Sequence, residues 1–316
     1  MFKHISELEY HELAGLLYKN SKALEQRRQK TLLINTLLLS QFFKINKGFQ
    51  EHGITILPIK GVSLLLSIYK DMASRPMNDI DLLIEQKNVD RGVAILKDMG
   101  YRLDEYAFSE DYYYLNYCHI PLFKEADEGL TYTVELHWSL AVPRPYKIAL
   151  PLLWTRIRSI TVDDKNVKLL SHEDDIFSLL LHLRRFDKPL SLKYILDISE
   201  ILKKYRIDWD YIYKHSRSNR LISLAYYALF AAKVFFNNDI KDETINRFYP
   251  GFIRASLLKY LVNRASSYGV SRLQRSIVFR KIAYVFLRFL LYDRALDFIK
   301  FVLIMPKEEF CRFFTY

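Results

Sequence analysis

The hydrophobic period of this chain changes abruptly at Gly53, and that change argues against both an all-helical and an all-β protein. Up to that point apolar residues recur every three or four positions. "LLINTLLLSQFFKINKGFQEHG" (32–53) is the clearest case, a helix closed by a glycine. The next run, "ITILPIK" (54–60), has the continuous apolar texture of a buried strand. "VSLLLSIYK" (62–70) predicts a short helix, "DIDLLIE" (79–85) a strand, and "NVDRGVAILKDMGY" (88–101) a helix ending near Gly100. "DYYYLNYCHIPLFK" (111–124) and "LTYTVELHWSL" (130–140) predict a strand pair. A β–α–β–α–β–β order implies an α+β domain built on a mixed sheet. After "VPRPY" (142–146) the texture is helical to the end. Three parts are expected: N-terminal helices over 1–52 packing on an α+β domain over 53–150, then a helical domain over 151–316.

The strand "DIDLLIE" carries two acids where a core strand should have none. Alternation puts Asp79, Asp81 and Leu83 on one face, with Ile80, Leu82 and Ile84 on the other. In "TYTVELHWSL", Glu135 and His137 share a face, opposite Val134, Leu136 and Trp138. If the two strands are neighbours, three carboxylates gather on one sheet face and form a hard-oxygen site of the kind that suits Mg²⁺. For a bare D-x-D the plain alternative is a solvated face. Lys60-Gly61 lies at a strand-to-helix turn, where a glycine allows the backbone to approach a phosphate, and Arg75 lies four residues before Asp79.

Composition narrows the class. The 316 residues are half hydrophobic with few glycines or prolines, so the chain is packed rather than disordered. The formal charge of +11 suits acidic partners, namely nucleotides, nucleic acid or an anionic membrane surface, although scattered lysines give the same sum. Cys118 and Cys311 are the only cysteines and imply free thiols in a reducing, cytoplasmic setting. The N-terminal segment lacks the apolar core of a signal peptide. The apolar stretch near the C-terminus is broken by Arg288, Asp293, Arg294, Asp297 and Lys300, so no stable membrane span is expected.

The ordered set "LPIKGVSLLLSIY", "SRPMNDIDLLI", "LKDMGY", "VELHWSL", "EDDIFSLLLHLRRF" and "YILDISEIL" resembles the polymerase-β-like nucleotidyltransferase superfamily. More narrowly it is similar to an uncharacterised bacterial nucleotidyltransferase-like family, over residues from about 54 to about 213. That resemblance implies transfer of a nucleoside monophosphate from an NTP, with ATP the expected donor, to a hydroxyl, with release of pyrophosphate. The acceptor would be a small molecule, a sugar, a peptide or RNA. Asp79, Asp81 and Glu135 would be the catalytic metal ligands for two Mg²⁺ (or Mn²⁺) ions. Gly61 and Ser63 would lie under the triphosphate, with Lys60 and Arg75 as phosphate contacts. Val62 intervenes where the superfamily's loop usually has Gly followed directly by Ser or Gly. The alternative is a catalytically inactive module on the same fold that binds nucleotide or RNA.

Other polar residues carry two readings each. His137 could bind substrate or tune Glu135, or be a satisfied core histidine. Lys193 and Asp197 stand four apart, as in a simple helical ion pair, while the resemblance implies a place in a substrate cleft. His182 reads as core. The histidines show no zinc-ligand spacing, and adjacent Cys118-His119 is not a metal motif. Membrane attachment through the Phe-rich basic C-terminal helices is a third reading, weaker than packing within a helical domain.

Overall fold

The computed structural model describes residues 22–104, 108–126, 129–184, 192–268 and 285–305. The expected helix before residue 22, residues 127–128 of the polar connection, Cys311 and part of the C-terminal helical stretch lie outside them. The described chain forms two compact units. One comprises residues up to Pro143 together with Pro151–Asp175, and the other comprises Arg144–Leu150 and the residues from Ile176 onward. Secondary structure, a mixed sheet and a helical C-terminal region agree with the α+β expectation.

The first unit is built on a four-stranded sheet of order β1-β2-β4-β3, with β1 Ile56–Pro58, β2 Ile80–Ile84, β3 His119–Glu125 and β4 Thr131–His137. β2 runs antiparallel to β1 and parallel to β4, and β3 closes the edge antiparallel to β4. All five residues of β2 are buried, so both faces of this central strand are covered. The long helix Lys22–Glu51 and the helix Val89–Asp98 supply Phe42, Ile45, Phe49, Val93 and Leu96 to the core beneath Ile80, Leu82, Ile84, Val134 and Leu136. Gly92 permits that approach. A Cβ there would lie 2.8 Å from Ile84 Cδ1 and 3.1 Å from Leu136 Cδ2.

Two expectations are corrected. Residues Glu110–Asn116 form a helix rather than the start of a strand, capped by Ser109, whose side chain accepts from the Tyr112 amide. Their tyrosine-rich composition reads as β, but Phe108, Tyr113 and Tyr117 pack as a cluster of tilted and edge-on rings. Likewise, the segment after Pro151 is not helical at once. It forms a hairpin, β5 Arg158–Val162 with β6 Lys165–Leu169, turned at Asp163 and Asp164 with φ of 46° and 61°. Two positive φ values define the type I′ turn that matches strand twist. Val167 and Leu169 join the core of the first unit.

The second unit is helical in its described residues from Ile176 onward, including Leu192–Lys204, Trp209–Ser218, Ile222–Phe236, Phe252–Tyr268 and Ala295–Leu303. Ile222–Phe236 is buried along most of its length, as a helix that is apolar all round must be. Its first turn is capped from afar by Asp293, whose carboxylate accepts from the amides of Ile222 and Ser223 at 2.9 and 2.7 Å. Among the described residues, no helix is long and apolar enough to cross a membrane.

Candidate active site

The parallel pairing of β2 with β4 sets Asp81 directly opposite Glu135, and Leu83 opposite His137. The sheet thus brings two of the three expected carboxylates together. The solvated-face alternative fails for Asp81, which is only 5% exposed. His137 completes the group from the same face of β4. Its Nε2 lies 2.9 Å from Asp81 Oδ1 and 3.1 Å from Glu135 Oε2.

Lys60 enters from the end of β1. The Ile59 amide still donates to the Asp81 carbonyl, at 3.0 Å, and the chain then turns at Lys60 into the helix Gly61–Ser67. The turn is made with φ 53° and ψ −113°, a conformation that suits glycine and costs a lysine about 1–3 kcal/mol. It accompanies an ammonium placed 2.7 Å from Asp81 Oδ1, with both side chains nearly buried.

The charges settle accordingly. Burial opposes ionisation of Asp81, but the Lys60 charge and the His137 hydrogen bond outweigh it and hold the carboxyl well below its usual range. Glu135 is held low for similar reasons, against both burial and its Asp81 neighbour, with His119 and His137 supplying most of the favourable field. Burial and Lys60 disfavour a charged His137, yet its hydrogen bonds, including those to Asp81 and Glu135, push it up to about 10. Two carboxylates are therefore balanced by one ammonium and one imidazolium. So low a pKa makes Glu135 a good ligand and a weak general base.

The other expected residues are placed as follows. Asp79 immediately precedes β2 and is half-buried. It lies outside the two sets of close ligand atoms among the described residues, which are Asp81, Glu135, His137 and Cys118, His119, His137. Arg75 is buried, with its Nη1 3.3 Å from where a Cβ on Gly61 would sit, so Lys60, Gly61 and Arg75 do come together. Gly61 is buried under Met77, whose Sδ would be 2.7 Å from that Cβ, so its missing side chain serves close packing. Ser63 is fully buried and donates to Asp175 Oδ1 at 3.2 Å. Asp175 also faces Arg158 Nη2 at 3.3 Å. Lys193 and Asp197 are both buried on Leu192–Lys204, in the second unit.

Sequence reasoning missed Asn35. It is fully buried on the helix Lys22–Glu51, and its amide donates to the Arg75 carbonyl at 2.8 Å while its Oδ1 accepts from the Met77 amide at 3.1 Å. It thereby fixes the loop that leads into β2. Its one sequence signal is an Asn beside Thr36 in the otherwise apolar "LLINTLLL".

A family described as uncharacterised nucleotidyltransferase matches residues 5–237. The chain belongs to that family. The match spans the sheet and both strands that carry Asp81 and Glu135, and assigns the chain to nucleotidyltransferases as a class without a substrate. No curated protein and no solved structure matches the chain.

Proposed function

We propose that this chain moves a nucleoside monophosphate from an NTP, with ATP the expected donor, onto a hydroxyl of a small-molecule, sugar, peptide or RNA acceptor. The acceptor oxygen bonds to the α-phosphorus, the bond to the bridging oxygen breaks, pyrophosphate leaves, and the hydroxyl proton passes to solvent. The observation that carries this reading is the facing pair of carboxylates on β2 and β4, Asp81 buried and Glu135 half-buried, with Lys60 at its edge. Asp81 and Glu135 present ionised oxygens and fit a hard divalent cation, Mg²⁺ or Mn²⁺, with Asp79 the residue nearest in sequence to extend the set to a second ion. Such an ion would stabilise charge on the transferring phosphoryl group. His137 holds both carboxylates in place through Nε2, as a positioning residue. Lys60 and Arg75 supply the positive charge that a triphosphate needs, and catalysis would rest on positioning and electrostatics.

The test is incubation with each labelled NTP and Mg²⁺ or Mn²⁺, followed by mass spectrometry of the protein and of added cell extract. Metal-dependent pyrophosphate release that is lost in Glu135→Gln is the expected result. Absence of turnover with all four NTPs and either metal would overturn it. A second reading, an inactive nucleotide- or RNA-binding module, draws on one observation: Lys60 and His137 already neutralise the carboxylates without a metal. Calorimetry showing NTP binding that ignores divalent ions would favour it, and a steep salt dependence of RNA binding would point to nucleic acid.

A further inference from the structure

Behind the carboxylates lies a second set of donors with different chemistry. Cys118, His119 and His137 are all buried, and one ligand atom from each lies within 4.8 Å of the others. The strand pairing builds the group. His119 and His137 are paired residues on antiparallel β3 and β4, and their rings lie 4.7 Å apart at a 33° tilt. Adjacent residues on a regular strand point to opposite faces, but Cys118 sits in a bend just before β3. Its thiol can therefore join His119, with Sγ 3.8 Å from His119 Nδ1. Sequence spacing could not reveal this set, because its third member is 18 residues away on the neighbouring strand.

The two rings are oriented alike. Each turns Nε2 toward Glu135, at 3.1 Å for His137 and 3.8 Å for His119. His119 turns Nδ1 toward Cys118. His137 Nδ1 is buried and makes no well-formed hydrogen bond, although the Cys118 thiol beside it helps to raise the ring's pKa. A buried ring nitrogen with only a thiol, a weak hydrogen-bonding group, beside it is left under-satisfied, as a nitrogen awaiting a ligand would be. Imidazoles whose far nitrogens face carboxylates are arranged as metal-ligating histidines commonly are. For tetrahedral zinc, with Zn–S about 2.3 Å and Zn–N about 2.0–2.1 Å, sulfur and nitrogen ligands stand about 3.6 Å apart. The Cys118 to His119 separation of 3.8 Å is close to that.

We propose that Cys118, His119 and His137 form a binding site for zinc or a similarly soft divalent transition metal, distinct from the hard-cation site on Asp81 and Glu135. Thiolate and imidazole select such ions, whereas carboxylate oxygens suit Mg²⁺ and Mn²⁺. The three protein ligands leave a fourth position for water or a substrate group. In this arrangement His137 releases its Nδ1 proton as the metal binds and spans the two sites, with Nδ1 on the soft metal and Nε2–H donating to the carboxylates. The site does not depend on the chain being an active nucleotidyltransferase.

The test uses the full chain, purified without chelator and analysed for zinc, then stripped and titrated with Co²⁺. About one zinc per chain is expected, and a near-ultraviolet thiolate-to-cobalt charge-transfer band that saturates at one equivalent and is reversed by zinc. The band should vanish in Cys118→Ser and persist in Cys311→Ser, with folding followed by circular dichroism. If Cys118→Ser does not fold, the band of the unaltered chain and its survival in Cys311→Ser decide. No band in the unaltered chain, its persistence in folded Cys118→Ser, or its loss in Cys311→Ser would each overturn the proposal. Asp81→Asn should keep the band while losing Mn²⁺ binding, which separates failure of this site from failure of the nucleotidyl-transfer reading.

Discussion

Replacing Asp81 by Asn should do more than remove a ligand. Lys60 Nζ lies 2.7 Å from Asp81 Oδ1, with side-chain exposures of 10% and 6%. At an effective dielectric of about 20, two charges at that distance attract by roughly 6 kcal/mol, most of it offset by the cost of burying them. Breaking such a pair by removing one member leaves an uncompensated buried charge and costs about 3–5 kcal/mol. Asp81→Asn should fall in that range, since both Lys60 and the protonated His137 then face a neutral amide. Lys60→Met should cost a similar amount. The double variant removes both charges, so it should cost less than the sum of the singles by about 2–3 kcal/mol. Urea unfolding followed by circular dichroism, on the four proteins of the cycle, measures this. Single variants within about 0.5 kcal/mol of the parent, or strict additivity, would refute the reasoning. Since folded proteins hold only about 5–15 kcal/mol in reserve, an inactive Asp81→Asn protein speaks to catalysis only once its folding has been checked.

Other perturbations give distinct signatures. Asp175 is raised to about 7, because burial outweighs the help of Arg158 and Ser63. The folded state therefore binds the extra proton, and stability present below about pH 4 is lost as pH rises toward 7, with a limiting slope of about 1.4 kcal/mol per pH unit. Asp175→Asn should flatten that part of the stability-against-pH curve, and an unchanged slope would sink the assignment. Gly92→Ala gains up to about 1 kcal/mol of helix propensity. Its Cβ would nevertheless crowd Ile84 and Leu136, so a net loss of about 1–2 kcal/mol in thermal or urea unfolding is expected; net stabilisation would contradict the tight helix–sheet contact. Asn35→Ala strips partners from the Arg75 carbonyl and the Met77 amide and should cost at least about 2 kcal/mol, with raised proteolytic cleavage in the loop before β2; a protein as resistant as the parent would argue against that role.

The site was legible where strand alternation and pairing do the work. Asp81 and Glu135 could be matched because both strands have period two and their apolar partners must share one core. Asp79 departs from that logic because it lies before the strand begins, where alternation no longer applies. Ser63 could not be assigned from its spacing, since its partner Asp175 is 112 residues away. The hairpin at 158–169 escaped notice because its turn uses Asp163-Asp164 in place of a glycine, and because Pro and Gly are scarce around it. The sequence allows His137 to be either core or functional. It is both buried and bonded to the carboxylates, and no local pattern could have set that balance.

Lys60 also has a bearing on the order in which ligands arrive. Its ammonium is a tethered counterion, already occupying the outer side of Asp81 at the high local concentration that tethering confers. A free divalent ion must compete with it. A nucleotide whose phosphates draw the ammonium away removes the competitor, so ion and nucleotide should each tighten the other's binding by the same factor. Mn²⁺ titrations with and without a non-hydrolysable NTP would measure that factor, and equal affinities in the two would show that Lys60 stays where it is. With that coupling the site would behave as a coincidence detector, responding weakly to either ligand alone and strongly to the pair.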